Sequence, residues 1–283
     1  MCSYIKRVIG AICLTTFLLT GSLVAQTLPS TIESIHYEIL MSSKMLDSIH
    51  FSGNFINYVD ITSNRLALLS SSDQFYLLGW GGIIPFGKKT TGKIFSYAVT
   101  PEGLLMAINN DKLCAFDSLG NLSTLFKLPR EEMGLSGGKY GMFIYDQNKD
   151  HQINMLYVLA KGGKFAQLFG ISTPIHSVVE MNDSILFASD NAVYSYRLDN
   201  KTMKTLVALA DDSEIKSLAV DTSGSRVYFS TNNMVFALKD SKAVLVSDKF
   251  GGILRYFNNG LLVFNPAKKM LIRIIGLERI IVP

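Results

Sequence analysis

The sequence predicts an all-β protein in which one four-stranded sheet recurs about every 40 residues and the copies close into a ring. Three observations support this. Beyond residue 54 the chain consists of short apolar runs parted by small polar clusters, and nothing there keeps a helical period for three turns. A template also recurs. "IFSYAVTPEGLLMAI" from Ile94 and "IKSLAVDTSGSRVYFS" from Ile215 each show an apolar start, a serine, three apolar residues, a turn with glycine and a second apolar strand. "IHSVVEMNDSILFAS" from Ile175 fits with a slip in the turn, and "FINYVDITSNRLALLS" from Phe55 and "ILRYFNNGLLVFN" from Ile253 fit more loosely. Finally, the starts at 55, 94, 175, 215 and 253 lie 39, 81, 40 and 38 residues apart, so the gap of 81 hides a further copy near residue 134.

Four short strands in a period of about 40 residues are the sequence sign of a β-propeller blade, and six copies fill residues 54–283. The copy from Ile215 shows all four strands, "IKSLAV", "RVYFST", "MVFALK" and "AVLVSD". A single sheet that is apolar on both faces cannot bury them alone; blades packed face to face around an axis can. Two separate sandwich domains would show no such fixed period. On this template the chain resembles the six-bladed β-propeller superfamily over roughly its last four-fifths. It lacks the Trp-Asp dipeptides of WD repeats and the once-per-blade Gly-Gly of kelch repeats, so no named subfamily is reached.

Ahead of the repeats, Lys6 and Arg7 precede the apolar "VIGAICLTTFLLTGSLVA", and "LVAQ" offers cleavage after Ala25, so residues 1–25 read as a secretory signal peptide. Its removal takes two of the 27 basic residues and none of the 23 acidic ones, leaving a net charge of +2. That balance, without any run of like charges, argues against a nucleic-acid partner. The expected location is outside the cytoplasm, whether periplasmic, cell-surface or extracellular, with no membrane attachment after cleavage. Cys114 is then the single remaining cysteine, so there is no internal disulfide and stability rests on core packing. Residues 26–53 form an N-terminal segment. Within it, "STIESIHYEILMSSKMLDSIHFSG" is too short for a blade; it reads as an edge strand that closes the ring or as a short helix, and seven blades result if it supplies strands.

The turns joining the second and third strands fall near Ser71, Asn110, Asp190, Asn232 and Pro266, and the period places the missing one near residue 150. There the sequence is "YDQNKDHQINMLYVLA" (145–160), longer and more polar than its counterparts. The spacing Asp-x-Asn-x-Asp-x-x-x-Asn before a strand resembles the calcium loops of integrin-type FG-GAP propeller blades. A loop coiling around a hard cation offers oxygen at alternate residues. By that resemblance Asp146, Asn148 and Asp150 would supply side-chain oxygens, Gln152 its carbonyl, and Asn154 an amide oxygen or a water-mediated contact. His151 replaces the usual glycine and Asn154 the usual aspartate. A metal-free polar hairpin is the other reading, since Asp and Asn are ordinary turn formers. Any Ca²⁺ there is structural. The strand before this turn, "EMGLSGG", is poor in β-formers.

Residues at the starts of the inner strands line the mouth of a propeller's channel. His176, Lys216 and Arg255 fall there and could hold an anionic ligand. Gluconolactonase-type lactonases are six-bladed and hold a divalent metal in the channel with acidic and amide side chains. Here Asn57 and Glu180 occupy such positions without forming a convincing set. No phosphate-binding glycine loop occurs, and the four histidines have no metal-ligand spacing. Three functions follow: a secreted non-enzymatic propeller binding a protein or glycan through its loop face, a metal-dependent hydrolase, lactonase or lyase with its site in the channel, or a structural module of a cell-envelope assembly.

Overall fold

The computed structural model describes residues 36–277, apart from 52–54, 60–65, 80, 81, 101, 212, 222, 224 and 258. The expected signal peptide, 1–25, lies outside the described residues. Among these residues, no helix is long and apolar enough to cross a membrane.

A strand, β1 (His36–Met41), and one short helix, α1 (Ser43–Ser48), precede the repeats. Blade one contains β2 (Phe55–Val59), β3 (Leu66–Ser70), β4 (Phe75–Gly79) and β5 (Gly82–Phe86). Blade two contains β6 (Ile94–Val99), β7 (Leu105–Asn109), β8 (Lys112–Phe116) and β9 (Leu122–Lys127). Blade three follows with β10 (Met133–Gly138), β11 (Gly141–Asp146), β12 (Asn154–Ala160) and β13 (Phe165–Ile171). Blade four has β14 (Ile175–Met181), β15 (Ser184–Ser189), β16 (Ala192–Arg197) and β17 (Met203–Ala208). Blade five has β18 (Ser217–Val220), β19 (Val227–Ser230), β20 (Val235–Lys239) and β21 (Lys242–Ser247). Blade six takes three strands from the end of the repeats, β22 (Ile253–Phe257), β23 (Gly260–Asn265) and β24 (Met270–Ile275). Its fourth is β1, which pairs antiparallel with β24 from His36 opposite Ile275 to Met41 opposite Leu271. The fold is a six-bladed β-propeller, and the copy hidden near residue 134 is β10.

Alternation along each strand explains the packing. Successive side chains point to opposite faces of a sheet. Leu105 and Ala107 therefore pack against blade one, while Met106 and Ile108 pack against blade three. Likewise Met142 and Ile144 face blade two, and Phe143 and Tyr145 face blade four. Each neighbouring pair of blades encloses its own apolar cluster, which is why second strands such as "GMFIYD" and "GLLVFN" are apolar almost throughout. Between blades six and one the gap is filled by the N-terminal segment: Met41, Leu46 and Phe51 pack with Leu69, Leu262, Phe264 and Leu271.

The template serine has a specific task. Ser96 Oγ accepts the Leu135 N–H of blade three, Ser177 Oγ that of Leu218 in blade five, and Ser217 Oγ that of Leu254 in blade six, all at 3.0 Å. Between blades three and four, Ser136 Oγ instead donates to the Val178 carbonyl at 2.6 Å. Tyr97 reaches the other way and donates its hydroxyl to the Leu68 carbonyl of blade one at 2.5 Å. The serine bonds satisfy inner-strand backbone groups that have no further strand beside them.

Leu46 is completely buried and is the residue of α1 that plugs the blade six–one seam. Leu46→Ala is expected to cost about 2–5 kcal/mol, read as a lower urea midpoint at unchanged m-value. A cost below about 0.5 kcal/mol would show that the seam does not depend on the helix.

Candidate ligand-binding site

A cavity of about 400 Å³ runs along the inner strands of blades two to six. Its lining includes Ser136, Lys139, Tyr145, Glu180, Arg255 and Tyr256. Most of the wall comes from the middle and C-terminal parts of these strands, so the space extends toward the β10–β11 turn.

One wall residue comes from a second strand. Tyr145 stands on β11 opposite Gly134 of β10. A Cβ at Gly134 would lie 2.2 Å from Cε2 of the Tyr145 ring, so the ring covers this glycine's backbone and takes the space of its missing side chain. Further along β10, a Cβ at Gly137 would meet the Val99 carbonyl oxygen at 2.2 Å, and one at Gly138 would meet Glu180 Oε2 at 2.7 Å. The low β-propensity of "GLSGG" thus has a structural reason. Blade three presents a thinned wall to the channel, across which Tyr145, Val99 and Glu180 close in.

Arg255, third residue of β22, is half-buried, and its Nη1 donates to the Leu254 carbonyl at 2.7 Å. Burial pulls its pKa down, opposed by the phenols of Tyr97 and Tyr145. The Tyr145 hydroxyl is pushed up to about 12 by burial, with the charge of Arg255 opposing. Near the far end of the inner strands, Glu180 Oε2 accepts the Tyr140 N–H at 3.3 Å.

His176 and Lys216 do not join Arg255 at the cavity wall. They meet instead around a carboxylate that sequence reasoning missed. Glu214 lies 2.6 Å from Lys216 Nζ, 2.8 Å from His176 Nε2 and 3.5 Å from Lys149 Nζ. The last of these ties the blade-three turn to the linker entering blade five. Burial lowers the His176 pKa, partly offset by Glu214. Burial would raise the Glu214 carboxyl, but the Lys216 hydrogen bond and the charges of His176, Lys216 and Lys149 bring it below its ordinary value. With both folded-state values depressed, the unfolded chain takes up protons first on acidification.

The long turn is organised around Arg130. Its Nη1 donates to Asp146 Oδ2 at 2.5 Å and to the Ile153 carbonyl at 2.8 Å, and lies 3.2 Å from His151 Nδ1. Asp146 Oδ2 also accepts the Met155 N–H at 2.9 Å. Asn148 Oδ1 accepts the Asp150 N–H at 2.9 Å, and Asp150 and Gln152 are exposed. Asp146 Oδ1 and Asn154 Oδ1 are both buried without a hydrogen-bond partner.

Comparison of the blades explains the arginine. The last residue of the second strand is buried and polar in blades two to six: Asn109, Asp146, Ser189, Ser230 and Asn265. Four of them donate to a linker carbonyl, of Thr91, Pro174, Gly252 and Gly251 respectively. An ionised aspartate has no proton to give. In blade three the linker therefore supplies the donor, Arg130. Asn57 belongs to β2, but its side chain lies outside the described residues. Among the described residues, no three His, Cys, Asp or Glu side chains are grouped to hold a metal.

No protein-family model matches the chain, and no curated protein is similar to it in sequence. Solved structures are similar in shape. The gluconolactonase XC5397 from Xanthomonas campestris superposes with a TM-score of 0.67 at 10% identity, covering 85% of this chain and 89% of that one. Virginiamycin B lyase from Staphylococcus aureus gives 0.57 at 9% identity, covering 78% and 79%. At these identities the likeness shows the propeller fold alone.

The stability contribution of His176 is complete above the ordinary histidine value of 6.5 and is lost as pH falls through its lowered folded value. The melting temperature is expected to drop between about pH 7 and pH 5, and to drop less in His176→Gln. Identical profiles for the two proteins would show that His176 does not carry this dependence.

Proposed function

We propose that the protein is an exported, non-enzymatic propeller that takes a small polar ligand, or the terminal group of a glycan or peptide, into its central cavity. The observation that carries this is the thinned wall of blade three. Three glycines in β10 let Tyr145, Val99 and Glu180 close against that strand, and about 400 Å³ lies along it, within the range of small-ligand sites. Binding is favoured over metal-dependent hydrolysis because, among the described residues, the cavity lining contains one carboxylate, Glu180, whereas such chemistry draws on several acidic or amide ligands. The gluconolactonase and lyase that share the fold keep the enzymatic reading as the competitor. Ligand-observed NMR with a panel of mono- and disaccharides and short peptides tests the proposal. Binders are expected, and their signals should vanish in Val220→Phe, which fills the cavity from its wall, at near-unchanged melting temperature. An empty panel overturns binding; turnover of a lactone, lost in Glu180→Gln, replaces it with the enzyme.

For the blade-three turn, we propose structural Ca²⁺ in competition with Arg130. Support comes from the two buried, unpartnered oxygens of Asp146 and Asn154, which a hard cation would satisfy. Asp146 and Asn154 would hold the ion, with Asn148, Asp150 and the Gln152 carbonyl as the remaining oxygens of the loop. Since the guanidinium already bonds Asp146, millimolar Ca²⁺ against chelator should raise the melting temperature more in Arg130→Ala than in the parent. No shift in either protein makes the turn a metal-free hairpin.

A further inference from the structure

We propose that the cavity selects an oxyanion, a carboxylate or phosphate on a small ligand, through the Arg255 guanidinium and the Tyr145 hydroxyl that Gly134 admits to the wall. This rests on the reading that the cavity binds a ligand.

Three features converge on it. The first is position. Arg255 and Tyr145 come from opposite sides of the ring, blades six and three, yet both line the one cavity and sit close enough to bias each other's ionisation. The second is chemistry. A guanidinium presents donors in a planar fork that matches the two oxygens of a carboxylate or phosphate, and a phenol that stays protonated at neutral pH adds a further donor. In a partly desolvated channel such bonds are stronger than at the surface. The third is polarity along the axis. By its pairing with the second strand Arg255, opposite Leu262, aligns with Val179, opposite Leu186, so Glu180 stands one residue further along the axis than the residue that carries the guanidinium. A ligand would enter with its oxyanion toward Arg255 and a neutral or donor-bearing part toward Glu180. His176 and Lys216 are engaged with Glu214 and do not line the cavity, whereas Arg255 does.

The thinned wall belongs to the same device. With any side chain at position 134, the Tyr145 ring could not lie across β10, because the nearest ring atom sits 2.2 Å from the site of the Cβ. A glycine in an inner strand costs stability relative to a β-branched residue, and here it places a polar group of a second strand in the channel.

Benzoate, phenyl phosphate and benzyl alcohol share a ring and differ in head group, so their dissociation constants, measured by ligand-observed NMR, isolate the oxyanion. One or both anions should bind at least about tenfold tighter than the alcohol, as hydrogen bonds to charged groups allow. Whether benzoate or phenyl phosphate leads assigns the ligand class to carboxylates or phosphates. Arg255→Gln should abolish the preference and Arg255→Lys keep part of it; Tyr145→Phe should weaken the anions several-fold without affecting the alcohol. Each variant is compared at a melting temperature matching the parent, with the conservative Lys and Phe changes deciding if Gln does not fold. Equal binding of alcohol and anions overturns oxyanion selection while leaving the cavity as a ligand site. An anion preference that survives in Arg255→Gln overturns the assignment to Arg255. Failure of all three probes alongside a sugar or peptide that does bind overturns it as well, and failure of every compound removes the cavity reading itself.

Discussion

At the channel wall each blade from the second to the fifth gives the next one a serine hydroxyl. Ser96, Ser177 and Ser217 accept inner-strand N–H groups, and Ser136 donates to a carbonyl. This contact sets the spacing between blades at its tightest point. Farther out, where the sheets splay, the gaps widen and larger side chains fill them. Phe75, Tyr228, Phe229 and Phe264 are fully buried between neighbouring sheets. Apolar burial supplies most of the free energy, and the hydroxyl bridges hold the sheets where that burial is complete.

Polar groups inside such a core have to be matched, and the ends of the second strands show how. In blades two, four and six an amide or hydroxyl there ties the incoming linker to its blade, and in blade five Ser230 bonds the outgoing one; in blade three Asp146 requires a cation and Arg130 supplies one. Asp146 is fully buried and Arg130 only partly, so removing the arginine would leave a desolvated carboxylate behind. The enlarged turn, with the Ile153 carbonyl and His151 beside the same Nη1, has been shaped around that need.

The repeat was legible because it is written in the alternation of two interfaces. The template "I-x-S" followed by apolar residues records the start of an inner strand, its staple and its two buried faces; it holds in three copies, and the copies from Phe55 and Ile253 keep only the apolar pattern. The sixth was hard to see because glycine at 134, 137 and 138 erased the apolar signal where the channel wall is thin. The candidate site was less readable for the same reason. Arg255 could be placed near the channel from its register, but nothing in "YGMFIYD" says that Tyr145 reaches through to it, since that depends on the residue opposite being glycine. Glu214 and Arg130 lie in linkers, where no period predicts contacts. Asp146 drew attention through its spacing with Asn148 and Asp150, whereas its burial and its arginine emerged only in three dimensions.

The last blade is assembled from both ends of the chain, with His36 opposite Ile275. Of the propeller strands β1 is made first, and it has no sheet to join until β24 has been made. Until the two pair, β24 is an unprotected edge and the apolar side of α1 is bare, a state that favours pairing with the wrong chain. Contacts this distant in sequence also slow folding, since the loop they close holds the other five blades. The clasp that makes the finished ring continuous is thus also its latest-forming part, and the step at which the nascent protein is most exposed to misassembly.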